Sequence, residues 1–338
     1  MAKRITLPQL VEKIQNRKLS PQEARDYFLV EPNARRPFDF NTYINVENVD
    51  VKNFESLARD ADALVTNVQA ATSGRTRKAA RNSKMRHSIV AEGDSWFRLP
   101  HVWPFPKTCI DFLQAAGYPI ANLAHWGDTL DEMLAIGEFW PYVDNGYDPL
   151  LFSAGGNDIL GNGGLASFLN EFDVGHAKPS DAPYYVRHEF YRNLDLVVSN
   201  LRTGLIEPMA TRHANKKIIM HGYDYVIPQK DGQWLGSPMQ YQGLDPTFNA
   251  GLCQAIVRLM IDAYNSKLKS LASKYSNTFI YLDLRGTVGK TEWYDELHGK
   301  EVAAKKIAAK FAKVIDSITI TAEERATARV HLPFRSAA

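Results

Sequence analysis

Residues 88–95 read SIVAEGDS, a short apolar run that passes directly into a polar turn. Four more apolar runs of this kind follow along the chain. The five predicted strands are Ser88–Ala91, Ile120–Leu123, Leu150–Ala154, Lys217–His221 and Phe279–Leu282. Short, continuous apolar strands that alternate with helices are typical of a parallel sheet covered on both faces. The sequence therefore predicts an α/β fold built on a five-stranded parallel sheet.

The segments between and after these strands show the helical spacing of apolar residues. The predicted helices span Phe112–Ala116, Thr129–Phe139, Tyr185–Arg212, Asn249–Tyr275 and Glu301–Ile318. The connection from Val226 to Asn249 is too long for a plain link between elements. Long connections at strand ends are usually lids or substrate loops, so this segment is predicted to border a site.

The composition changes near residue 87 and divides the chain into two regions. Residues 1–86 are thinly apolar, with short predicted helices at Leu7–Val11 and Pro21–Phe28 and a weaker one at Val49–Val68. We therefore expect a mostly helical N-terminal extension of unknown role at 1–86 and a sheet domain at 87–338.

The N-terminal region is basic. Residues 1–90 hold 16 Lys and Arg against 10 Asp and Glu, and six of these bases lie close together without an acid: Arg75, Arg77, Lys78, Arg81, Lys84 and Arg86. Such a block can make weak contact with an anionic surface, or it can be a solvated linker. Both interpretations stay open.

Composition excludes several classes of protein. The chain is 45% hydrophobic and 23% charged, its mean hydropathy is −0.31, and no apolar run approaches the roughly 20 residues of a membrane span. The basic start turns polar without an apolar signal core, so the default expectation is a cytoplasmic protein, with non-classical export left open. No glycine-rich phosphate loop follows a strand, and neither nucleotide nor nucleic-acid binding is expected.

Polar clusters follow the ends of four predicted strands. They are Glu92–Trp96, Asn122–Asp128, Gly155–Asp158 and Trp293–His298. Because the carboxyl ends of parallel strands meet at one edge of a sheet, we expect these clusters to converge.

The converging residues indicate nucleophilic acyl transfer. A serine hydroxyl needs a base, and the base needs an orienting group. Asp295 and His298 stand three residues apart, so the carboxylate can hold one ring nitrogen and leave the other for Ser95. The Asn157 amide and the backbone N–H groups of Gly127 and Ser95 can stabilise the oxyanion.

Several polar and aromatic residues close to these clusters have other predicted roles. Glu92 and Glu296 are less favoured candidates for the orienting acid, whereas Asp94 and Asp158 are predicted to hold their loops through backbone bonds. No metal-ligand spacing fits the remaining polar candidates His125, His221 and Asp224. Three tryptophans close to the site are candidates for either core or substrate pocket: Trp96, Trp126 and Trp293.

The four clusters together resemble the SGNH hydrolase superfamily, which includes the GDSL esterases and lipases. The resemblance covers roughly residues 87–318 and consists of the blocks 93–95, 122–127, 155–158 and 295–298. It implies a flavodoxin-like three-layer sandwich with strand order 2-1-3-4-5 and a hydrolase domain at 87–338. It also implies the roles given above for the serine, the histidine, the aspartate and the oxyanion donors. Trp96 stands where the family motif has Leu, and Gly299 where Pro often follows the histidine.

The expected function is a serine ester hydrolase that works through an acyl-enzyme and needs no metal or organic cofactor. Its expected substrate is a small-molecule, glycan or lipid ester. Three alternatives remain: an acyltransferase that uses the same residues, a lipase- or phospholipase-type effector acting on anionic lipid, and a non-catalytic binding module.

Overall fold

The structure is a computed structural model, and it describes residues 4–15, 26–32, 40–50, 88–99 and 105–330. The basic stretch 75–86 lies outside these residues, as do most of the predicted helices 21–28 and 49–68. Contact between the basic residues and anionic surfaces therefore stays a prediction.

The described part of the N-terminal region contains the helix α1 (Leu7–Gln15), two further helical residues, Asp26 and Tyr27, and the short strands β1 (Ile5–Thr6), β2 (Phe28–Pro32), β3 (Phe40–Ile44) and β4 (Val49–Asp50). Strand β1 pairs in parallel with β4, and β2 is antiparallel to β3 over five residue pairs. These strands differ from the helices expected there, but most of residues 1–86 lie outside the described part of the chain, so a mostly helical extension stays a prediction. The sequence predicts Phe28 as the last residue of a helix, but its pairing with Ile44 makes it the first residue of a strand. A partner 16 positions away leaves no mark in local periodicity.

The predicted five-stranded sheet is confirmed. Its strands are β5 (Ile89–Gly93), β6 (Ile120–Asn122), β7 (Leu150–Ser153), β8 (Ile218–His221) and β9 (Phe279–Leu282). All pairings are parallel and the spatial order is β6-β5-β7-β8-β9, which is the 2-1-3-4-5 order of the resemblance. Strand β5 therefore lies between β6 and β7, and β6 and β9 form the two edges.

The helices of this region cover both faces of the sheet. They are α2 (Cys109–Ala115), α3 (Leu130–Ile136), α4 (Trp140–Asp144), α5 (Gly156–Leu160), α6 (Ala182–Tyr185), α7 (His188–Leu201), α8 (Glu207–Arg212), α9 (Gly236–Tyr241), α10 (Ala250–Lys274) and α11 (Glu301–Val330). The helix predicted over 185–212 is interrupted: it contains α7, a π-helical turn and α8, which has a proline in its first turn.

Two buried apolar clusters lie on opposite faces of the sheet. Val90 and Phe152 point into one cluster, which also holds buried residues of α7 and α10. Ile89 and Leu151 point into the other, with buried residues of α2 and α11. Successive strand residues alternate between the two clusters because side chains alternate across a strand. The result is a three-layer sandwich, in which the apolar clusters cover the two faces of the sheet and polar residues lie beyond the strand ends. Within the described residues, no helix is long and apolar enough to cross a membrane.

Candidate active site

Ser95 lies in a tight turn directly after the inner strand β5. Asp94 shapes this turn, because its Oδ1 accepts the Trp96 N–H at 3.0 Å and its carbonyl oxygen accepts the Phe97 N–H at 3.0 Å. Gly93 precedes the turn, and a Cβ there would stand 2.8 Å from the Ser153 Cβ. Glycine thus lets β5 and β7 approach closely where the chain turns out of the sheet.

A buried hydrogen-bond network supports the turn from below. Ser153 Oγ donates to Asp94 Oδ1 at 2.7 Å, and the Tyr223 hydroxyl donates to Asp94 Oδ2 at 2.5 Å. His221 Nε2 lies 2.9 Å from the Ser153 oxygen. The prediction that Asp94 holds its loop is confirmed, whereas the anchoring by Tyr223 had no signal in the sequence.

His298 joins the serine to a carboxylate. Its Nε2 lies 2.7 Å from Ser95 Oγ, and its Nδ1 lies 2.8 Å from Asp295 Oδ2. Asp295 Oδ1 also accepts the backbone N–H groups of Leu297 at 2.8 Å and of His298 at 2.7 Å, which closes the segment into a tight turn. With Asp295 at Nδ1, the ring proton resides on that nitrogen and Nε2 is left to accept the serine hydroxyl proton.

Asp295 and His298 shift each other's pKa in opposite directions, each against the effect of burial. Burial alone lowers the pKa of His298, but the adjacent Asp295 carboxylate outweighs it and raises that pKa above its usual value. For Asp295, burial acts to raise the pKa, and the charge and hydrogen bonds of His298 overcome it and hold the pKa below its usual range. The carboxylate can therefore stabilise the imidazolium that forms when His298 takes a proton.

Asn157 and Gly127 are tied to each other through their loops. Asn157, in the first turn of α5, donates from Nδ2 to the Asp128 carbonyl oxygen at 2.7 Å. An amide nitrogen carries two hydrogens, so this bond orients the group and leaves the second for an oxyanion. Gly127 has φ of +90°, which favours glycine, and the neighbouring His125 N–H bonds to the Gly93 carbonyl oxygen at 2.9 Å.

Asp158, next to Asn157, confirms its predicted structural role. Both of its carboxylate oxygens accept the N–H of Leu130, at 3.1 and 3.0 Å, at the start of α3. Burial raises the pKa of Asp158 to about 6. The block at 155–158 is thereby fixed to the helix that follows the Gly127 loop.

Ser95 opens onto an apolar cleft of about 710 Å³, counted out to open solvent. Asn157 also lines it, and most of the wall is apolar, with Leu160, Leu165, Phe190, Val226, Leu235, Val257, Met260, Ile261 and Leu297. A second cavity of about 310 Å³ is lined by Ser95 and His298 and includes Lys107 and Thr108. The candidate nucleophile thus borders two cavities of different polarity.

The three tryptophans proposed for the pocket have different locations. Trp96 lines both cavities. Trp293 is 7% exposed and belongs to the core, where its ring centroid lies 6.4 Å from that of Trp96. Trp126 lies outside the linings of both cavities. A fourth tryptophan, Trp234, is not predicted near the site from the sequence. Its ring meets the His298 imidazole edge to face, with centroids 5.7 Å apart.

The two glutamates weighed as orienting acids are both buried and neither contacts His298 through a hydrogen bond. Glu92 Oε1 accepts the Gly93 N–H, its Oε2 has no hydrogen-bond partner, and burial raises its pKa to about 8. Glu296 instead accepts four backbone N–H groups from residues 229–236. Its role could not be read from local sequence.

The polar residues weighed as metal ligands enter separate networks. Asp224 accepts the N–H groups of Gly286 and Val288, both at 2.6 Å, and so joins the ends of β8 and β9. His221 bonds to Ser153, and His125 is exposed on its loop. Within the described residues, no group of three or more His, Cys, Asp or Glu side chains is arranged to hold a metal ion.

Fold and site together define an α/β protein with a hydrogen-bonded Ser–His–Asp set at the carboxyl edge of a parallel sheet. No family model and no curated protein matches the chain. Solved structures that it is similar to include an acetylxylan esterase from Geobacillus stearothermophilus, at 16% identity over 68% of this chain and 94% of that one, with a TM-score of 0.41. Another is a lipolytic G-D-S-L family member from Veillonella parvula, at 17% identity over 68% and 98%, with a TM-score of 0.38.

A third is the C-terminal catalytic domain of a peptidoglycan O-acetyltransferase from Streptococcus pneumoniae, at 12% identity over 70% of this chain and 96% of that one, with a TM-score of 0.38. These proteins include members of the group that the four sequence blocks resemble. TM-scores below 0.5 and identities below 25% leave the geometry of the chain's own site to decide its chemistry.

Proposed function

We propose that the chain is a serine ester hydrolase that cleaves a carboxylic ester through an acyl-enzyme at Ser95. The observation that supports this most directly is the contact of 2.7 Å between Ser95 Oγ and His298 Nε2. The distance is within the range expected of a nucleophile and its base. Asp295 on the far ring nitrogen completes the constellation that such a mechanism requires.

The residues divide the reaction as follows. Ser95 Oγ attacks the ester carbonyl carbon while His298 Nε2 takes its proton, and the C–O bond to the alcohol breaks as His298 returns that proton to the leaving oxygen. A water molecule then repeats the sequence on the acyl-enzyme and regenerates Ser95. The Ser95 N–H, the free hydrogen of the Asn157 amide and the Gly127 N–H stabilise the negative charge on the carbonyl oxygen in both steps.

The cleft supports an apolar acyl group rather than acetate. Its wall is almost wholly aliphatic and aromatic, and an apolar wall gains about 0.8 kcal/mol for each CH₂ that it removes from water. Such a gain corresponds to roughly fourfold in binding per methylene. The second cavity, which includes Lys107 and Thr108, is the more polar of the two and suits the alcohol part.

A chain-length series of p-nitrophenyl esters tests the proposal. Wild-type protein should hydrolyse the acetate, and kcat/KM should rise about fourfold per added methylene until the cleft is filled. Ser95→Ala should abolish turnover, while Ser266→Ala, which removes an exposed hydroxyl bonded to the Asp262 carbonyl on α10, should leave it unchanged.

Three other outcomes would decide against parts of the proposal. Turnover that survives Ser95→Ala would refute the nucleophile. A profile that peaks at acetate, with acetylated xylan as the better substrate, would refute the apolar acyl group. An acyl-enzyme that persists in buffer and is released by an added alcohol would identify an acyltransferase.

A further inference from the structure

One carboxylate in residues 295–298, which we call the catalytic segment, does not contact the reacting groups. Glu296 lies between Asp295 and His298 in the chain and is 2% exposed. Its Oε1 accepts the N–H groups of Gln229 at 2.9 Å and Gly236 at 2.8 Å. Its Oε2 accepts those of Trp234 and Leu235, both at 3.0 Å. We call residues 229–236 the anchored loop.

The anchored loop is shaped to wrap this carboxylate. A Cβ on Gly232 would stand 2.0 Å from Glu296 Cδ, and one on Gly236 would stand 1.8 Å from the Gln229 carbonyl oxygen. Glycine at both positions allows the backbone to close around the side chain. The loop and the carboxylate therefore fit each other at several points.

The four bonds make loop and carboxylate interdependent. All four partners are N–H donors, and a buried carboxylate is stable only when its oxygens are hydrogen-bonded. Burial raises the pKa of Glu296, and the N–H bonds offset part of that rise. Displacing the loop would leave the charge without its partners inside the protein.

Two side chains of the anchored loop reach the reaction centre. Trp234 packs its ring against the His298 imidazole, and Leu235 lines the apolar cleft. Leu297, which follows Glu296, lines the same cleft. The carboxylate thus holds one wall of the cleft and one neighbour of the base in fixed places.

We propose that Glu296 is a positioning residue that fixes the anchored loop to the catalytic segment and thereby sets the preference for long acyl chains. The preference rests on the proposed ester hydrolase function. The anchoring itself does not, and it can be measured separately.

The first test is Glu296→Gln, which keeps the shape but replaces one acceptor oxygen by an NH₂ group, so that two of the four N–H groups face a donor. The ratio of kcat/KM for the p-nitrophenyl octanoate to that for the acetate should fall about tenfold or more, mainly through a higher KM for octanoate. Glu292→Gln is the matched control. Glu292 accepts the Gly289 N–H and the Lys306 ammonium, away from the anchored loop, so its ratio should stay as in wild type.

A second variant reaches the same contact from the other side. Gly232→Ala leaves Glu296 intact but pushes the loop away from it, and it should lower the same ratio. In both variants, amide hydrogen exchange followed by mass spectrometry should be faster over residues 234–236 than in wild type. Unchanged exchange together with ratios within twofold of wild type in both variants would overturn the proposal. If wild-type protein hydrolysed no ester, the ester hydrolase function would fall, and exchange alone would decide whether Glu296 anchors the loop.

Discussion

Replacing Asp295 by Asn should disable the base by reversing the tautomer of His298. Two backbone N–H groups, those of Leu297 and His298, point at Asp295 Oδ1. In the variant the amide oxygen must take that position, because an NH₂ group there would face two donors. The amide nitrogen then occupies the place of Oδ2, 2.8 Å from His298 Nδ1.

This placement determines the size of the effect. An NH₂ group at that distance donates to Nδ1, so the ring proton moves to Nε2 and points at Ser95 Oγ. The serine loses its proton acceptor, and kcat should fall on the order of 10⁴-fold, while the turn itself is kept. Loss of the carboxylate also removes the main influence that raises the pKa of His298, so burial, opposed only by the charge of Asp94, should lower that pKa.

The pH dependence of kcat/KM checks both effects. In wild type the neutral base is required, so activity should rise with pH through the raised pKa of His298, above its usual value of 6.5. In Asp295→Asn the residual activity should reach its plateau at lower pH. Asp283→Asn, which removes a half-exposed carboxylate paired with Arg285, is the control and should keep the wild-type profile. If Asp295→Asn kept more than a tenth of wild-type kcat, or if its kcat/KM rose with pH over the same range as in wild type, the orienting role of Asp295 would be refuted.

Four further outcomes are expected. Ser95→Ala should lower kcat by on the order of 10⁴ or more without changing the melting temperature greatly, and retention of a tenth of the activity would exclude Ser95 as nucleophile. Asn157→Ala should cost about 10²–10³ in kcat with little change in KM; a rise in KM alone would mean that it binds ground-state substrate. Burial raises the pKa of Glu92 from its usual 4.5 to about 8, so the folded state should lose stability as pH rises from about 4.5 to 8. Glu92→Gln should therefore make the melting temperature less dependent on pH. A dependence equal to that of wild type would contradict the burial of Glu92 as a neutral acid. A chain that begins at His87 should stay soluble and hydrolyse p-nitrophenyl acetate at near the full rate, whereas aggregation would show that residues 1–86 cover the sheet domain.

The sheet could be predicted because its signals are local. Each core strand is a continuous apolar run that ends in polar residues, and the order of such runs along the chain limits the parallel topologies available. The predicted strand Phe279–Leu282 has the same limits in the structure, and Lys217–His221 differs by one residue.

What the sequence could not show depends on contacts between distant segments. Phe28 becomes a strand residue through its pairing with Ile44. The local sequence identifies Glu296 only as an acid near His298, because its four donors lie 60 to 67 positions earlier in the chain. The contact between the Trp234 and His298 rings likewise joins segments that are far apart in the chain.

The sheet order has a consequence for the timing of synthesis. The proposed nucleophile, Ser95, follows the first strand of the sheet, whereas the proposed base, His298, follows the last, 203 residues later, at the edge. At about 5–20 residues per second, a ribosome needs roughly 10–40 s to pass from Ser95 to His298. Throughout that interval the nascent chain contains Ser95 but not His298, so under the proposed mechanism a chain interrupted before residue 298 should have no activity. Under that mechanism, activity should appear only after the segment that follows β9 has packed against the turn after β5.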